Sequence, residues 1–418
     1  MRIAVLGAGV IGVTTAWALS SAGHEVIVLE RHHAPAQETS FANGGQLSVS
    51  HAEPWANPRA PLQILKWLGK EDAPLLWRMR ADLAQWRWGC RFLLECLPHR
   101  TLRNTKALLS LGLYSRSALA DISDQLGLDY HQLQRGILHF YTDEAEFAHA
   151  LAAANKEREH GGERLVKSAD ECLQIEPALA DSLDRIVGGT YAAEDESGDA
   201  RLFCEQLTNA CVRRGVEFKF GAHVASLERQ QGRIIAVKMT NGECLTADLF
   251  VVALGSHTVP LLNTLGLSFP IYPLKGYSAS IQIPSGTLVP FVSLTDEQHK
   301  LVFSRLGNTL RVAGTAEFAG YDTSMNQTRC AALIRRTRQI FPSMNTVNDI
   351  QFWTGLRPAT PGNVPFIGAT DIPNLWLNSG HGTLGWTLAC GSAKLLAQMI
   401  GGLASDIDPT PYRASSRG

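Results

Sequence analysis

An α/β parallel-sheet domain, discontinuous in sequence, with an inserted α+β domain on an antiparallel sheet is predicted by three features of the sequence. The chain opens on a strand–turn–helix–strand unit rich in glycine. Its middle switches to strands with period-two alternation. Its end returns to a strand, a glycine-rich loop and a long apolar helix.

The opening unit comes first. Arg2-Ile3-Ala4-Val5-Leu6 is an apolar run of strand length, followed by Gly7-Ala8-Gly9-Val10-Ile11-Gly12, a helical pattern with Ala16 and Leu19, Gly23, and a second run, Val26-Ile27-Val28-Leu29, ending on Glu30. Gly7 permits the tight turn, Gly9 a close backbone approach to a pyrophosphate, and Gly12 close packing of helix on strand. The helix N-terminus presents unpaired N–H groups and a positive dipole end. A carboxylate at Glu30 accepts hydrogen bonds from adenosine ribose hydroxyls and disfavours a 2′-phosphate. The unit is Rossmann-like.

Further along, Phe203–Val212 reads as an amphipathic helix leading to a strand at 216–220, a return to the same sheet. Residues 232–240 and 276–316 show short alternating strands with turn signals at Ser285-Gly286 and Gly307-Asn308. The domains follow as 1–55, 198–265 and 355–418 for nucleotide binding, and 56–197 with 266–354 for the substrate.

Two segments favour FAD over NAD. Ala247–Gly255 is a buried strand with a glycine exit, and Leu375–Thr387 runs from strand through glycine-rich loop into a helix. A second helix N-terminus with close backbone approach suits the ring end of a flavin, where negative charge develops on reduction. A purely NAD-binding domain does not need this second anchor, and NAD-dependent dehydrogenation stays as the reading from another class.

Bulk properties exclude other classes. With 45% hydrophobic and 18% charged residues the chain has ample core, and a net charge of −1 leaves no electrostatic footprint for nucleic acid. The 8 cysteines show no CxxC pair and no metal-ligand spacing, so no metal is expected and a reducing compartment is. No apolar run reaches the ~18 residues that span a bilayer. The nucleotide-binding strand begins at residue 2, which leaves no signal peptide and predicts a cytoplasmic protein.

Longer motifs give a resemblance. They are Gly7–Gly12, Ser40-Phe41-Ala42-Asn43-Gly44-Gly45-Gln46, Glu53-Pro54-Trp55-Ala56-Asn57, Tyr272-Pro273-Leu274-Lys275-Gly276-Tyr277-Ser278, Arg305-Leu306-Gly307, Gly314-Thr315-Ala316-Glu317, Trp353-Thr354-Gly355-Leu356-Arg357-Pro358 and Gly380-His381-Gly382-Thr383-Leu384-Gly385-Trp386. Through them the chain resembles the D-amino-acid dehydrogenases (flavoprotein or small-subunit type) of the D-amino-acid-oxidase-like flavoproteins, from residue 2 to about 405. The resemblance implies oxidation of a D-amino acid, D-alanine by default, to an imino acid that hydrolyses to a 2-oxo acid and ammonia. It implies hydride transfer from the α-carbon to flavin N5, with electrons passing to a quinone or another acceptor.

Site residues follow. The cofactor is expected on Gly7, Gly9, Val10, Ile11, Gly12, Glu30 and Arg31, then on Ser40, Asn43, Gly44, Gly45, Gln46 and Leu47, on Val224, Ala253 and Gly255, and on Gly380, His381, Gly382, Thr383, Leu384 and Gly385. For the substrate carboxylate a planar guanidinium is best suited, through two parallel hydrogen bonds. The wider family uses the arginine of a Gly-x-Arg-Pro turn, which selects Arg357. Tyr272 and Tyr277 are candidates to complete the clamp or bind the amine, against the alternative of half-buried strand tyrosines. His51 is a candidate to orient the amine, against a structural role. No acid–base pair is required, because the substrate need only lose one ammonium proton, and catalysis is then positioning and electrostatics.

Five of the 9 tryptophans (Trp55, Trp67, Trp77, Trp86, Trp88) lie among Arg78, Arg80, Arg87 and Arg91. They are read as the core of a helical cap, since the arginines form no clean polar face. The alternative is peripheral docking at the cytoplasmic face of an inner membrane. Within the flavin class, D-proline or cis-hydroxy-D-proline oxidation, a peroxide-forming oxidase and a non-catalytic flavin-binding subunit compete.

Overall fold

The computed structural model describes residues 1–50, 53–158 and 164–414. Two large sheets organise them. The first has six strands, in the order Phe366–Ala369, Leu375–Ser379, Leu249–Val252, Arg2–Leu6, Glu25–Glu30, Glu217–Phe220. All neighbours are parallel except the outermost pair, Phe366–Ala369 against Leu375–Ser379. The interiors of its central strands are apolar because both faces are covered. Ile3, Val5, Val26 and Val28 pack on the helices Val10–Ser21, Ala200–Arg213 and Gly385–Ile400. Ala4, Leu6, Ile27 and Leu29 pack on a three-stranded sheet, Val224–Gln230, Arg233–Met239 and Cys244–Leu245. That sheet corrects one expectation: residues 233–239 alternate as foreseen but roof the nucleotide-binding sheet and do not join the substrate sheet.

The second sheet has nine strands. Its main path runs Ile350–Ala359, Tyr272–Gln282, Thr309–Phe318, Leu301–Leu306, Ser293–Asp296, Ile137–Tyr141, Gly188–Ala192, Leu165–Lys167, with Leu75–Trp77 beside Thr309–Phe318. It is mixed and not purely antiparallel, because Ser293–Asp296 runs parallel to Ile137–Tyr141 and Leu75–Trp77 parallel to Thr309–Phe318. Nor are all its strands short: Tyr272–Gln282 has 11 residues and Ile350–Ala359 has 10. The boundary expected between 354 and 355 falls inside Ile350–Ala359, which pairs without a break along Tyr272–Ile281. One face of this sheet (Tyr277, Ala279, Ile281, Leu294, Phe303, Val312) packs on the helix Gln327–Ile340. The opposite face, with Ser293, Val302, Arg311 and Ala313, meets the segment 43–46 that follows the first nucleotide-binding strands.

Of the tryptophans, Trp88 is core, stacked with Phe92 and close to Tyr272 and Phe318, and Trp67 and Trp77 pack against that cluster. Trp55 and Trp86 are exposed, so the reading of all five as core holds for only part of the set.

Candidate active site

The carboxyl ends of Arg2–Leu6, Glu25–Glu30 and Leu249–Val252 open on a cavity of about 400 Å³. Gly7 turns there with φ +103°. A Cβ on Gly12 would lie 1.8 Å from the Gly7 carbonyl oxygen, so no side chain fits between helix and turn. The helix Val10–Ser21 carries no acidic residue in its first turn, and its Val10 N–H is met by the Ser40 hydroxyl at 3.1 Å. The Glu30 carboxylate accepts from the Ala8 and His32 N–H groups at 2.8 and 2.9 Å. It is thereby fixed at the rim.

Of the expected cofactor residues, Gly7, Gly9, Val10, Ile11, Glu30, Arg31, Ser40, Asn43, Val224, Ala253, Gly255, His381, Gly382 and Gly385 line this cavity. Two orphaned buried polar atoms, Asn378 Oδ1 and His381 Nδ1, belong to residues of its wall. Burial holds the His381 imidazole neutral, its pKa down to about 3, with Nε2 2.9 Å from the Ser392 hydroxyl. A glycine turn closed to any Cβ, a helix N-terminus with no acidic residue in its first turn, a fixed carboxylate and unpartnered amide and imidazole atoms fit a dinucleotide such as FAD.

A second cavity of about 370 Å³ adjoins the first. Asn43 lines both; Pro358 and Gly382 face the first, while their chain neighbours Arg357 and Thr383 face the second. Gly44, Gln46 and Leu384 also line the second. Four expected residues reach neither. Gly12 and Gly380 act by backbone packing, with a Cβ on Gly380 meeting Thr360 at 2.7 Å. Gly45 sits with φ +81° against Ser304 and Leu306, and the Leu47 side chain is core.

Arg357 lies inside a strand and not in a turn, a correction with a structural cause. Its guanidinium crosses Gly276 on the neighbouring strand, where a Cβ would come within 2.4 Å of Cζ. It donates from Nη1 to the Thr315 carbonyl at 2.8 Å. That carbonyl is presented by a β-bulge: Gly276 pairs with Ala316 and Tyr277 with Gly314, leaving Thr315 extra, with φ +53°. Burial, and secondarily the Arg329 guanidinium, lower the Arg357 pKa to about 10, so it is a cation at neutral pH. No carboxylate among the described residues pairs with it.

The two tyrosines are elsewhere. The Tyr272 hydroxyl donates to Asp82 at 3.0 Å within the Trp88–Phe318 cluster. The Tyr277 hydroxyl donates to Glu317 on the sheet face opposite Arg357, beside Lys275 and Arg329. Neither lines the second cavity. His51 lies outside the described residues, although its neighbours Ser48, Val49 and Ser50 are held by the buried Asp195 carboxylate.

Residues that sequence reasoning missed complete the second cavity: Ile64, Trp67, Leu75 and Phe92 on one side, His139, Thr295, Glu297 and Lys300 on another. His139 is the one imidazole in the aliphatic and aromatic run Ile137–Tyr141, which is a signal; Glu297 sits in the polar run 296–300 and reads as an exposed turn.

A family model described as FAD dependent oxidoreductase matches residues 2–399. The chain belongs to the FAD-dependent oxidoreductase family. This oxidoreductase is 55% identical to a D-amino acid dehydrogenase of Dechloromonas aromatica (strain RCB), over 96% of the chain and 97% of the relative. It is 46% identical to one of Paramagnetospirillum magneticum (strain ATCC 700264 / AMB-1), over 97% and 96%. Its fold matches glycine oxidase from Geobacillus kaustophilus with TM-score 0.79 and 20% identity, over 99% and 98% of the two chains. L-proline dehydrogenase from P. horikoshii matches with TM-score 0.76 and 16% identity, over 97% and 94%. FAD is the cofactor of the family, and the site described above fits it.

Proposed function

We propose that this enzyme oxidises D-amino acids to 2-oxo acids and ammonia, with water consumed and two electrons passed on to a quinone or another acceptor. The observation that carries the reading is the Arg357 guanidinium, a cation without a carboxylate partner among the described residues, on the wall where the two cavities adjoin. It suits the α-carboxylate of a substrate, because a planar guanidinium binds carboxylates bidentately. The relatives' names supply the stereochemistry and substrate class.

When bound, FAD supplies the two-electron acceptor for the substrate's Cα–H bond. Gly7, Gly9 and the first turn of Val10–Ser21 would hold its pyrophosphate, and Glu30 the adenosine ribose. Asn43, Gly44 and Gln46, with His381–Gly385, would hold the ring end. Arg357 positions the substrate, and the apolar wall of Ile64, Trp67 and Phe92 limits water around it.

Spectra of the purified protein under anaerobic conditions test this, with D-alanine, L-alanine and D-proline as parallel additions. Bleaching of the flavin bands by D-alanine alone is expected. A yellow protein bleached by none of them removes the substrate assignment, and faster bleaching by D-proline moves it to a cyclic amine. Oxygen uptake without added quinone would replace the dehydrogenase with an oxidase.

Delivery to a membrane quinone is favoured by one surface. Leu62, Leu65, Met79, Leu83, Trp86, Leu93 and Leu94 are exposed beside Lys66, Arg87 and Arg91, which suits the plane of an anionic bilayer. No helix among the described residues is long and apolar enough to cross a membrane. Sedimentation with anionic vesicles is expected, and its loss in an Arg87→Glu, Lys66→Glu variant; equal recovery with neutral vesicles removes the electrostatic part.

A further inference from the structure

The second cavity has a charged end that the carboxylate clamp does not use. His139 is on the strand Ile137–Tyr141 and Glu297 directly follows Ser293–Asp296; register pairs Thr295 with His139 and Asp296 with Phe140. Side chains alternate across the sheet, so Asp296 turns to the helix Gln327–Ile340, meeting Arg336 Nε at 2.6 Å. Thr295 and Glu297 turn to the cavity. There Glu297 Oε1 lies 2.8 Å from His139 Nδ1, and Oε2 accepts from Lys300 Nζ at 2.5 Å. His139 and Glu297 are almost fully buried, whereas Lys300 is half-exposed.

The distance from Arg357 decides what this cluster does. The guanidinium sits at Thr315, and the strands Leu301–Leu306, Ser293–Asp296 and Ile137–Tyr141 follow in order. Glu297 is therefore two strand spacings away and His139 three, roughly 10 and 14 Å at ~4.8 Å each. The α-amine of a bound amino acid lies too near its own carboxylate to reach that end. A long side chain extended away from the carboxylate has the reach to cross the gap.

We propose that Glu297, carried by His139 and Lys300, is the specificity-determining group that reads the substrate side chain. It accepts a hydrogen bond from a donor at the tip (ammonium, amide or hydroxyl), while the aliphatic stem lies along Ile64, Trp67 and Phe92. This deepens the D-amino-acid reading and rests on it. The favoured class is D-amino acids with long, donor-tipped side chains.

D-lysine and D-norleucine share a stem and differ in the terminal ammonium, so the ratio of their kcat/KM values reports on the tip alone. In the holoenzyme E297Q is expected to lower the D-lysine to D-norleucine ratio about tenfold or more, since a charge-assisted hydrogen bond is lost. K300M removes one cation paired with Glu297 and is expected to raise the same ratio, an outcome a merely structural role does not produce. Because Lys300 is half-exposed, K300M carries the test should E297Q not fold. An unchanged ratio in K300M, or equal losses for both substrates in E297Q, overturns the proposal. Turnover of D-norleucine by the native enzyme is the control that separates this failure from failure of the D-amino-acid reading.

Discussion

The Arg357 guanidinium occupies the space over Gly276 into which any side chain on that residue would project, 2.4 Å from the Cβ position. Within Lys275-Gly276-Tyr277 it is the middle residue that makes room for the arginine. Gly276 does not carry a positive φ, so alanine is tolerated by the backbone and the clash falls on the arginine. Gly276→Ala is expected to fold, to retain flavin and to raise KM for D-alanine by about tenfold to a hundredfold, the effect of a small misplacement of a positioning group. Arg357→Ala should raise KM at least as much and stay yellow. Loss of flavin from either variant would place the arginine in the cofactor site instead.

The same burial sets a pH limit. Arg357 is a cation whose pKa is lowered to about 10, so its charge is complete at neutral pH and is lost as pH rises through that value. Propionate, a carboxylate without an amine to titrate, is expected to bind with constant affinity to about pH 9 and progressively more weakly above 10. Flavin difference spectra measure it. Weakening already at pH 8 would assign the anion site to another group.

Tyr277 belongs to a structural network. Its hydroxyl donates to Glu317, which also receives Arg78 Nε at 2.5 Å and lies 3.5 Å from the buried Lys275. Tyr277→Phe removes one donor and is expected to destabilise the protein by about 1–3 kcal/mol in urea titrations. Glu317→Ala takes the buried carboxylate from Arg78, Tyr277 and Lys275 at once and leaves Lys275 only Asp322 and the Ser324 carbonyl, and about 3–5 kcal/mol is expected. A stable Tyr277→Phe protein with a tenfold loss in kcat/KM would return the tyrosine to the active site.

The turn at Gly7 and Gly12 was legible because its constraint is local: the residues that clash are five positions apart and any substitution fails on backbone geometry alone. Gly12→Ala is accordingly expected to yield protein without bound flavin, or none that is soluble. The motif points to Arg357 but not to what surrounds it, since Gly276 and the Thr315 bulge are defined only by strand register. Tyr272 and Tyr277 were misplaced for the same reason: the face a strand residue takes depends on a pairing that proximity in the motif does not reveal. His139 and Glu297 are separated by 158 positions, and nothing local announces that they meet.

His381 gives the last test, because it reports on the core of the cofactor site without any substrate. Its imidazole is buried, and its pKa falls from the ordinary 6.5 to about 3. Between these values the unfolded chain binds a proton that the folded chain excludes, so the contribution to stability is present above pH 6.5 and is lost as pH falls toward 3. Urea midpoints are expected to drop over that interval by an amount on the order of a few kcal/mol in unfolding free energy. His381→Gln removes the titrating group, keeps a polar side chain next to Ser392, and is expected to flatten this part of the profile. A variant whose midpoints fall as steeply as those of the native protein would mean that His381 is protonated in the fold. The neutral imidazole assigned to the cofactor wall would then be wrong.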